Sequence, residues 1–321
     1  MTASATLGFV FPGQGSQHVG MLAELAVQHP LITETFTQAS QILDQDLWAL
    51  CQQGSEEELG RTEVTQPLLL TASVALWRLW RQLDGPSPAV LAGHSLGEWS
   101  ALVCAGAIEF ADALRLVRQR GRYMQAAVPV GTGAMLAVIG LDDSAVAEAC
   151  AGAAGQDRGL VGPVNFNAPG QVVIAGHVKA VERAAENCKR AGAKRTVPLP
   201  VSAPFHTALM HPAADKLEQD MAATEFTAPA IPVIHNASLE SETDPAAIKK
   251  LLIRQITEPV PWVATVRKLA EMGAQQLCEC GPGRVLSGLN RRIAPDISCL
   301  NTATPPLLET ALQQAAQPPA H

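Results

Sequence analysis

The sequence predicts an α/β protein whose core is a parallel β-sheet covered by helices. Short apolar runs of strand length alternate with helical patterns along the 321 residues, and this alternation is typical of the class. Hydrophobic residues make up 47% of the chain but aromatic residues only 4%, so small and aliphatic residues carry the apolar content. That composition suits helices packed closely on a sheet better than an aromatic-rich β-sandwich.

The first part of the chain predicts strands that end in glycine-rich turns. Leu7 to Phe11 reads as a buried strand ended by Pro12 and Gly13, and a second strand follows the turn-forming residues 84–88. The predicted strands are 7–11 and 89–92, and the predicted helices are 30–43, 67–82, 98–106 and 109–125.

Residues 130–200 show a different order of predicted strands and helices. Strands at 134–139, 161–166, 171–175 and 194–199 and helices at 143–153 and 178–191 follow in the order β-α-β-β-α-β. We therefore divide the chain into a large α/β-hydrolase-like catalytic domain, residues 1–129 and 201–321, and an inserted ferredoxin-like subdomain, residues 130–200.

The large domain is predicted to resume near Val201. Helices are expected at 207–222, 245–256 and 260–272, strands at 232–235 and 275–279, and a further short helix after Gly281-Pro282-Gly283. The last twenty residues contain four prolines and predict a loosely held tail.

Gly93-His94-Ser95-Leu96-Gly97 fits the pattern G-x-S-x-G of a nucleophile elbow. An apolar strand precedes the motif and a helical pattern follows it, so the glycines would permit a tight turn that exposes the serine hydroxyl. The N-terminus of the following helix would offer unpaired N–H groups to a developing oxyanion. The motif predicts Ser95 as a nucleophile, and an ordinary glycine turn is the alternative.

A serine hydroxyl needs a base to accept its proton, and eight histidines are available. His94 adjoins Ser95, but at a tight elbow its side chain is expected to point away. His206 follows an extended run that contains a proline and lies where a helix should begin, which makes it the better candidate. The plainer interpretation, a surface or core histidine, applies to His18, His29, His177, His211, His235 and His321.

A second glycine-rich loop, Gly13 to Gln17, follows the first strand. Its two glycines would let the backbone approach a ligand, so an N–H group here could be a second oxyanion donor. An ordinary strand-ending turn is the alternative. The loop lacks the pattern G-x-G-x-x-G, so a dinucleotide-binding fold is not supported.

Charge and cysteine content limit the functional classes. The net charge is −7, with no Lys or Arg before Arg61, which argues against a broad nucleic-acid interface. Seven scattered cysteines without a CxxC pair predict free thiols in the cytoplasm, and no secretory signal, membrane span or metal-ligand spacing stands out. Local basic clusters, 189–195 and 284–292, read as solvated faces or as docking sites for an anionic partner.

Six stretches carry a family resemblance together. They are Phe11 to Gln17, Ala92 to Glu98, Arg120-Gly121, Val164 to Asn167 with Gly170-Gln171, Val201 to His206, and Gly281 to Gly283. In this order they resemble the malonyl-CoA:acyl carrier protein transacylases of fatty acid synthesis, which are related to polyketide acyltransferase domains. The inserted ferredoxin-like subdomain fits the architecture of that family.

The resemblance implies a role for each matching position. Ser95 looks like the nucleophile and His206 like its general base. Gln255 matches a position near which a main-chain carbonyl, rather than an acid, orients the histidine. The backbone N–H groups of Gln14 and Leu96 look like the oxyanion hole.

Arg120 corresponds in this family to the arginine that holds the free carboxylate of the malonyl group. A bidentate guanidinium–carboxylate pair in a dry pocket is strong and selective, and it would separate malonyl from acetyl by about 2–5 kcal/mol. The residues alone do not distinguish Arg120 from a solvated face formed with Arg115, Arg118 and Arg122. Phe205 resembles the bulky residue that disfavours a branched methylmalonyl group, and a core phenylalanine is the alternative.

The resemblance implies a ping-pong transfer of malonyl from malonyl-CoA to holo-acyl carrier protein, without a cofactor. Because acyl carrier proteins are acidic, the two basic clusters are candidate docking faces. Two other classes stay open: a serine hydrolase with an acid such as Asp112 or Asp143, and a silent subunit that only binds carrier proteins. No apolar surface helix stands out, so a monomer is expected.

Overall fold

The computed structural model describes residues 3–155, 159–201 and 203–317. Strands and helices alternate along the chain, as the sequence predicts. The strands are β1 Ala3–Phe11, β2 Ser87–Gly93, β3 Gly133–Ile139, β4 Val161–Ala168, β5 Gln171–His177, β6 Arg195–Pro198, β7 Val233–Ile234, β8 Gln276–Glu279 and β9 Ser298–Asn301. The helices are α1 Ala23–Gln28, α2 Leu31–Leu43, α3 Leu47–Gln53, α4 Glu56–Gly60, α5 Thr62–Gln82, α6 Gly97–Cys104, α7 Phe110–Ala126, α8 Asp143–Ala151, α9 Val178–Arg190, α10 His211–Ala222, α11 Pro245–Thr257, α12 Trp262–Glu271, α13 Val285–Ile293 and α14 Pro305–Ala315.

Five strands form a parallel sheet in the order β7-β2-β1-β8-β9. Leu7, Phe9 and Phe11 of β1 are buried on one face of this sheet and Val10 on the other. A strand covered on both faces has to be apolar throughout, which explains the continuous hydrophobic run of β1. The α/β class with a parallel core is therefore confirmed.

The other four described strands form an antiparallel sheet in the order β4-β5-β3-β6. Alternate residues of its central strand β5 belong to two cores. Val172 and Ile174 pack with α8 and α9, whereas Val173 and Ala175 pack into the main core. This period of two follows from strand geometry, since successive side chains point to opposite faces. One face of the sheet is thereby joined to the parallel-sheet region.

Two predicted segments are corrected by the structure. The helix expected at 67–82 begins at Thr62, so Pro67 lies inside it rather than at its start. The expected loose tail is helix α14, with prolines in its first turn and Leu308 and Ala311 buried. A proline in the first helical turn has no N–H bond to lose, so Pro305 and Pro306 start this helix instead of loosening the chain. Pro318 and Pro319 lie outside the described residues.

Sequence patterns also missed the short elements α1, α3, α4 and β9. These elements have four to seven residues, too few for a period to stand out. Among the described residues, no helix is both long and apolar enough to cross a membrane.

Close backbone contacts join strand β1 to the turn after β2. A methyl group at Gly97 would overlap the carbonyl oxygen of Phe11, and one at Gly93 would overlap the backbone of Gly97. The two strand ends therefore approach closely because these positions lack a side chain. This approach places the loop after β1 beside the turn that contains Ser95.

Gly97→Ala should therefore lower the free energy of unfolding by about 2–3 kcal/mol, because backbone atoms cannot move aside as a flexible side chain can. Gly288→Ala is the matched control, since Gly288 is a helical glycine of α13 with open space around its Cβ direction. The control should raise stability by about 0.5–1 kcal/mol. Urea unfolding measures both changes, and equal effects of the two substitutions would contradict the proposed packing.

Candidate active site

Ser95 lies on the turn between β2 and α6, where its φ of 52° is in the left-handed region. Such a conformation costs a non-glycine residue about 1–3 kcal/mol and persists only where the surroundings hold it. Here the Ser95 N–H donates to Oδ1 of Asn236 at 2.9 Å, and the Ser95 carbonyl accepts from Nε2 of Gln255 at 3.1 Å. The turn is therefore clamped on both sides of the serine.

His206 meets the serine hydroxyl from another loop and is also in the left-handed region, with a φ of 60°. Its Nε2 lies 2.8 Å from Oγ of Ser95, and its Nδ1 lies 2.8 Å from the main-chain oxygen of Gln255. A carbonyl oxygen only accepts, so Nδ1 carries the proton and Nε2 offers its lone pair to the hydroxyl. This arrangement can take a proton from Ser95.

Burial keeps this histidine neutral. Burial, and secondly the positive charge of Arg120, lower the pKa of His206 to about 3, although the bond to Gln255 acts in the opposite direction. A neutral imidazole is the form that accepts a proton from serine. His206 is therefore in its basic form at any ordinary pH.

Gln14 and Leu96 line the same cavity as Ser95. Leu96 is the residue before α6, and its N–H belongs to the unpaired amides at that helix N-terminus. Within the described residues, the N–H groups of Gln14 and Leu96 donate to no protein atom. Both amides are thus available to an oxyanion at Ser95.

Arg120 is a buried cation, 2% exposed, on helix α7. Its Nη1 donates to Oε1 of Gln66 at 2.8 Å, and its Nη2 donates to Oε1 of Gln255 at 3.0 Å and to Oγ of Ser95 at 3.2 Å. No carboxylate of the described residues contacts it, and its Nε lacks a partner there. Burial lowers its pKa to about 10, so the guanidinium stays charged at neutral pH. A buried cation held by neutral amides can bind a substrate anion.

The cavity at Ser95 has a volume of about 160 Å³, and Phe205 is part of its wall. Phe205 is buried and precedes His206 directly. A wider cleft of about 1050 Å³ adjoins the cavity, since Thr62 and Val201 line both. The site can thus admit a small acyl group inside and a longer chain outside. Ser202, part of the Val201 to His206 stretch, lies outside the described residues.

The structure brings Ser95, His206, Arg120 and Gln255 into one hydrogen-bonded cluster. His94 lines the same cavity but bonds another residue instead of the serine hydroxyl. Its Nε2 bonds Oδ1 of Asn167 at 2.8 Å, and its ring packs on Trp262.

Three site residues escaped the sequence analysis: Gln66, Glu98 and Asn236. Asn236 comes just after the short strand β7, whose carboxyl end lies beside that of β2. Polar residues at the carboxyl ends of parallel strands are a recognisable signal of a site. Glu98 also had a signal, as a carboxylate directly before the largely apolar residues 99–104. Gln66 had none, because only packing turns α5 toward Arg120.

A serine held by a strand–turn–helix, a neutral histidine at its hydroxyl and free amides beside it define an enzyme class that acts on acyl groups. Sequence comparison agrees, since the family model described as "Acyl transferase domain" matches residues 8–289. The chain belongs to this acyltransferase family.

Relatives and solved structures cover nearly the whole chain. The malonyl CoA-acyl carrier protein transacylase of Salmonella typhimurium is 58% identical over 95% of this chain and 98% of its own length. The acyl carrier protein S-malonyltransferase of Vibrio cholerae superposes with a TM-score of 0.92 at 56% identity, over 95% of this chain and 99% of the other. A malonyl-transacylase solved with its type II PKS acyl-carrier protein gives a TM-score of 0.94 at 54% identity, over 96% and 99%.

Labelling of Ser95 by a fluorophosphonate probe should change less than about twofold between pH 8 and pH 5, because His206 stays neutral over that range. A histidine with the ordinary pKa near 6.5 would lose about thirtyfold at pH 5. Initial labelling rates, measured by intact mass, check this expectation.

Ser95→Ala should remove the label. Ser100→Ala should keep it, since Ser100 is a buried serine of helix α6, which follows the Ser95 turn. A fall in wild-type rate with a midpoint near pH 6.5 would contradict a buried, neutral base.

Proposed function

We propose that the chain transfers a malonyl group from malonyl-CoA to the phosphopantetheine thiol of an acyl carrier protein, through an ester on Ser95. One observation carries the proposal: Oγ of Ser95 lies 2.8 Å from Nε2 of His206 and 3.2 Å from Nη2 of Arg120. A nucleophile, its base and a buried cation thus meet at one atom. A short acyl group with a terminal carboxylate satisfies all three, and the printed names of the relatives describe malonyl transfer.

In the first half-reaction, Nε2 of His206 accepts the Ser95 proton while Oγ bonds to the thioester carbon. The oxyanion that forms accepts hydrogen bonds from the N–H groups of Gln14 and Leu96. When the tetrahedral intermediate collapses, the C–S bond breaks and the CoA sulfur leaves as a thiol with the proton from His206. Malonyl remains as an ester on Ser95.

The second half-reaction runs the same steps in reverse. The phosphopantetheine thiol gives its proton to His206 and attacks the ester carbonyl. Ser95 then leaves and recovers the proton. The main-chain oxygen of Gln255 holds the ring of His206 through both halves, at 2.8 Å from Nδ1.

Selectivity for malonyl follows from the charge of Arg120. The malonyl carboxylate would pair with the guanidinium, whereas an acetyl group would leave the buried cation unpaired, at a cost of about 2–5 kcal/mol. Phe205 would limit the space beside the α-carbon and so disfavour a branched methylmalonyl group. Its position in the wall of the small cavity supports this role.

The wider cleft is the proposed route for the phosphopantetheine arm. Arg61 and Arg122 line it, and Val130, 86% exposed, lies at its edge. The thiol of the arm has to reach a serine inside the cavity from outside, so it needs an open route. An extended arm of mixed polarity suits this lining, which is itself both charged and apolar.

A serine hydrolase fits the site less well. Asp112 pairs with Arg115 on the surface at 3.0 Å, and Asp143 begins helix α8 beside the antiparallel sheet. Nδ1 of His206 bonds a main-chain oxygen instead of either acid. A silent binding subunit has no use for the contacts among Ser95, His206 and Arg120.

We also propose that residues 130–200 are a ferredoxin-like subdomain inserted into an α/β-hydrolase-like domain formed by 1–129 and 201–321. The antiparallel order β4-β5-β3-β6 with two helices on one face supports this division. In both proposed carrier-docking clusters some of the basic side chains already have partners. In 189–195, Lys189 pairs with Glu186 at 2.7 Å. In the other, Arg292 donates to Gln171 and to the carbonyl of Pro169, and so joins α13 to the antiparallel sheet.

A cytoplasmic location is proposed from the thiols. All seven cysteines are free, and six of them are buried. Burial raises the pKa of the Cys51 and Cys150 thiols to about 12, which makes them poor nucleophiles. Such thiols suit a reducing compartment.

Brief mixing with malonyl-CoA should add one malonyl mass to the protein at Ser95, and holo-acyl carrier protein should then remove it. The reason is that the ester survives until a thiol arrives. Intact-protein and peptide mass spectrometry measure the adduct and the loaded carrier. An adduct lost equally fast to water would favour the hydrolase, and no adduct from malonyl-CoA or acetyl-CoA would favour the silent binder.

Arg120→Ala should lower kcat/KM for malonyl-CoA by about 30-fold or more, while the value for acetyl-CoA stays level or rises, because only malonyl has a carboxylate to lose. Arg118→Ala is the matched control on the same helix, since Nη1 of Arg118 donates to the Leu43 carbonyl away from the cavity. An equal fall for both substrates would mean that Arg120 is structural.

A further inference from the structure

Glu98 is a fully buried carboxylate that the mechanism above does not use. It lies in the first turn of α6, three residues after Ser95. It accepts from Nδ1 of His235 at 2.7 Å, from the N–H of Asn236 at 2.9 Å and from Nε2 of Gln255 at 2.6 Å. All three partners are donors, as an ionised carboxylate requires.

Glu98 is not a triad acid, because His206 bonds the Gln255 main chain instead. It accepts from the side-chain amide of Gln255 and from the backbone N–H of Asn236, and both of these residues hold the site. The Asn236 amide accepts from the Ser95 N–H and donates from Nδ2 to the Gly93 carbonyl at 2.7 Å. Glu98 thus holds the residue that clamps the serine turn.

The Gln255 amide has its orientation set from two sides. Glu98 only accepts, so the amide nitrogen must face it, and Arg120 only donates, so the amide oxygen must face Arg120. One amide therefore links the buried carboxylate to the buried guanidinium. The negative charge stays one side chain away from Arg120 and leaves the guanidinium free for a substrate carboxylate.

The electrostatics of Arg120 agree with this geometry. Burial lowers the pKa of Arg120, and the charge of Glu98 acts in the opposite direction. The carboxylate therefore favours the charged guanidinium without contacting it.

We propose that Glu98 is a positioning residue for substrate selection: through Gln255 and Asn236 it holds the cation Arg120 charged and oriented beside the nucleophile, with no carboxylate of the described residues in contact with it. This inference rests on the proposed function, since it assigns Glu98 a part in malonyl selection.

The test compares initial rates of Ser95 acylation by malonyl-CoA and by acetyl-CoA, followed by intact mass. Glu98→Gln should lower the malonyl-to-acetyl rate ratio by about tenfold or more, because the charge that supports Arg120 is lost and the Gln255 side-chain amide can flip its oxygen and nitrogen. Glu279→Gln is the matched control. Glu279 is also a fully buried carboxylate, and it accepts from the N–H groups of Leu286 and Ser287, none of which lines the cavity. The control should keep the ratio, whatever it does to stability.

Glu98→Asp keeps the negative charge and is the second variant, in case Glu98→Gln fails to fold. Its carboxylate should keep the malonyl-to-acetyl rate ratio closer to the wild-type value than Glu98→Gln does, because a charge still faces the Gln255 amide. A ratio as low in Glu98→Asp as in Glu98→Gln would overturn the proposal, because the charge would then have no part in it.

A folded Glu98→Gln protein with an unchanged ratio would overturn it as well. A wild-type protein that forms no malonyl adduct would overturn the proposed function itself. This outcome is distinguishable from a failure of the inference on Glu98, because it is observed before any substitution is made.

Discussion

The charge of Arg120, buried at the end of the cavity, constrains the rest of the site. A guanidinium that is buried away from water needs acceptors for its N–H groups and a negative charge to compensate its own. A carboxylate in direct contact, however, would fill the position that a substrate anion needs. Two neutral amides, from Gln66 and Gln255, accept from its Nη1 and Nη2, and Glu98 supplies negative charge one residue further away. The positive charge of Arg120 also helps to lower the pKa of His206, so the cation helps to keep the base neutral.

The parallel sheet explains how distant parts of the chain reach this cation. Strands β7, β2 and β1 are neighbours, and the segments after their carboxyl ends carry Asn236, Ser95 and Gln14. Gly97 allows the turn that contains Ser95 to approach the loop after β1 without a clash. Helices α5, α7 and α11 then bring in Gln66, Arg120 and Gln255. Each functional side chain thus lies on or beside a regular element, which suits a site that has to be held rigidly.

Local chemistry made the larger elements predictable. The apolar run of β1, the β-α-β-β-α-β order of 130–200 and the glycine-bounded Ser95 turn all depend on neighbours in sequence, and all three agree with the structure. Pro67 lies inside α5, where tertiary packing overrides the usual place of proline at a helix start. The predicted loose tail was wrong because composition was weighed without position: Pro305 and Pro306 begin helix α14.

By itself the sequence determined the α/β class, the serine turn and, through several motifs together, the family resemblance, because these depend on residue type and spacing along the chain. Only the tertiary structure decided which charges and amides meet. Arg120 is one of four arginines within eight residues, and packing alone buries it against Gln66, Gln255 and Ser95. Glu98, His235 and Asn236 become a network because β7 lies against β2. Contacts between residues more than a hundred positions apart leave no periodic trace in a single sequence, so their partners emerge only from the fold.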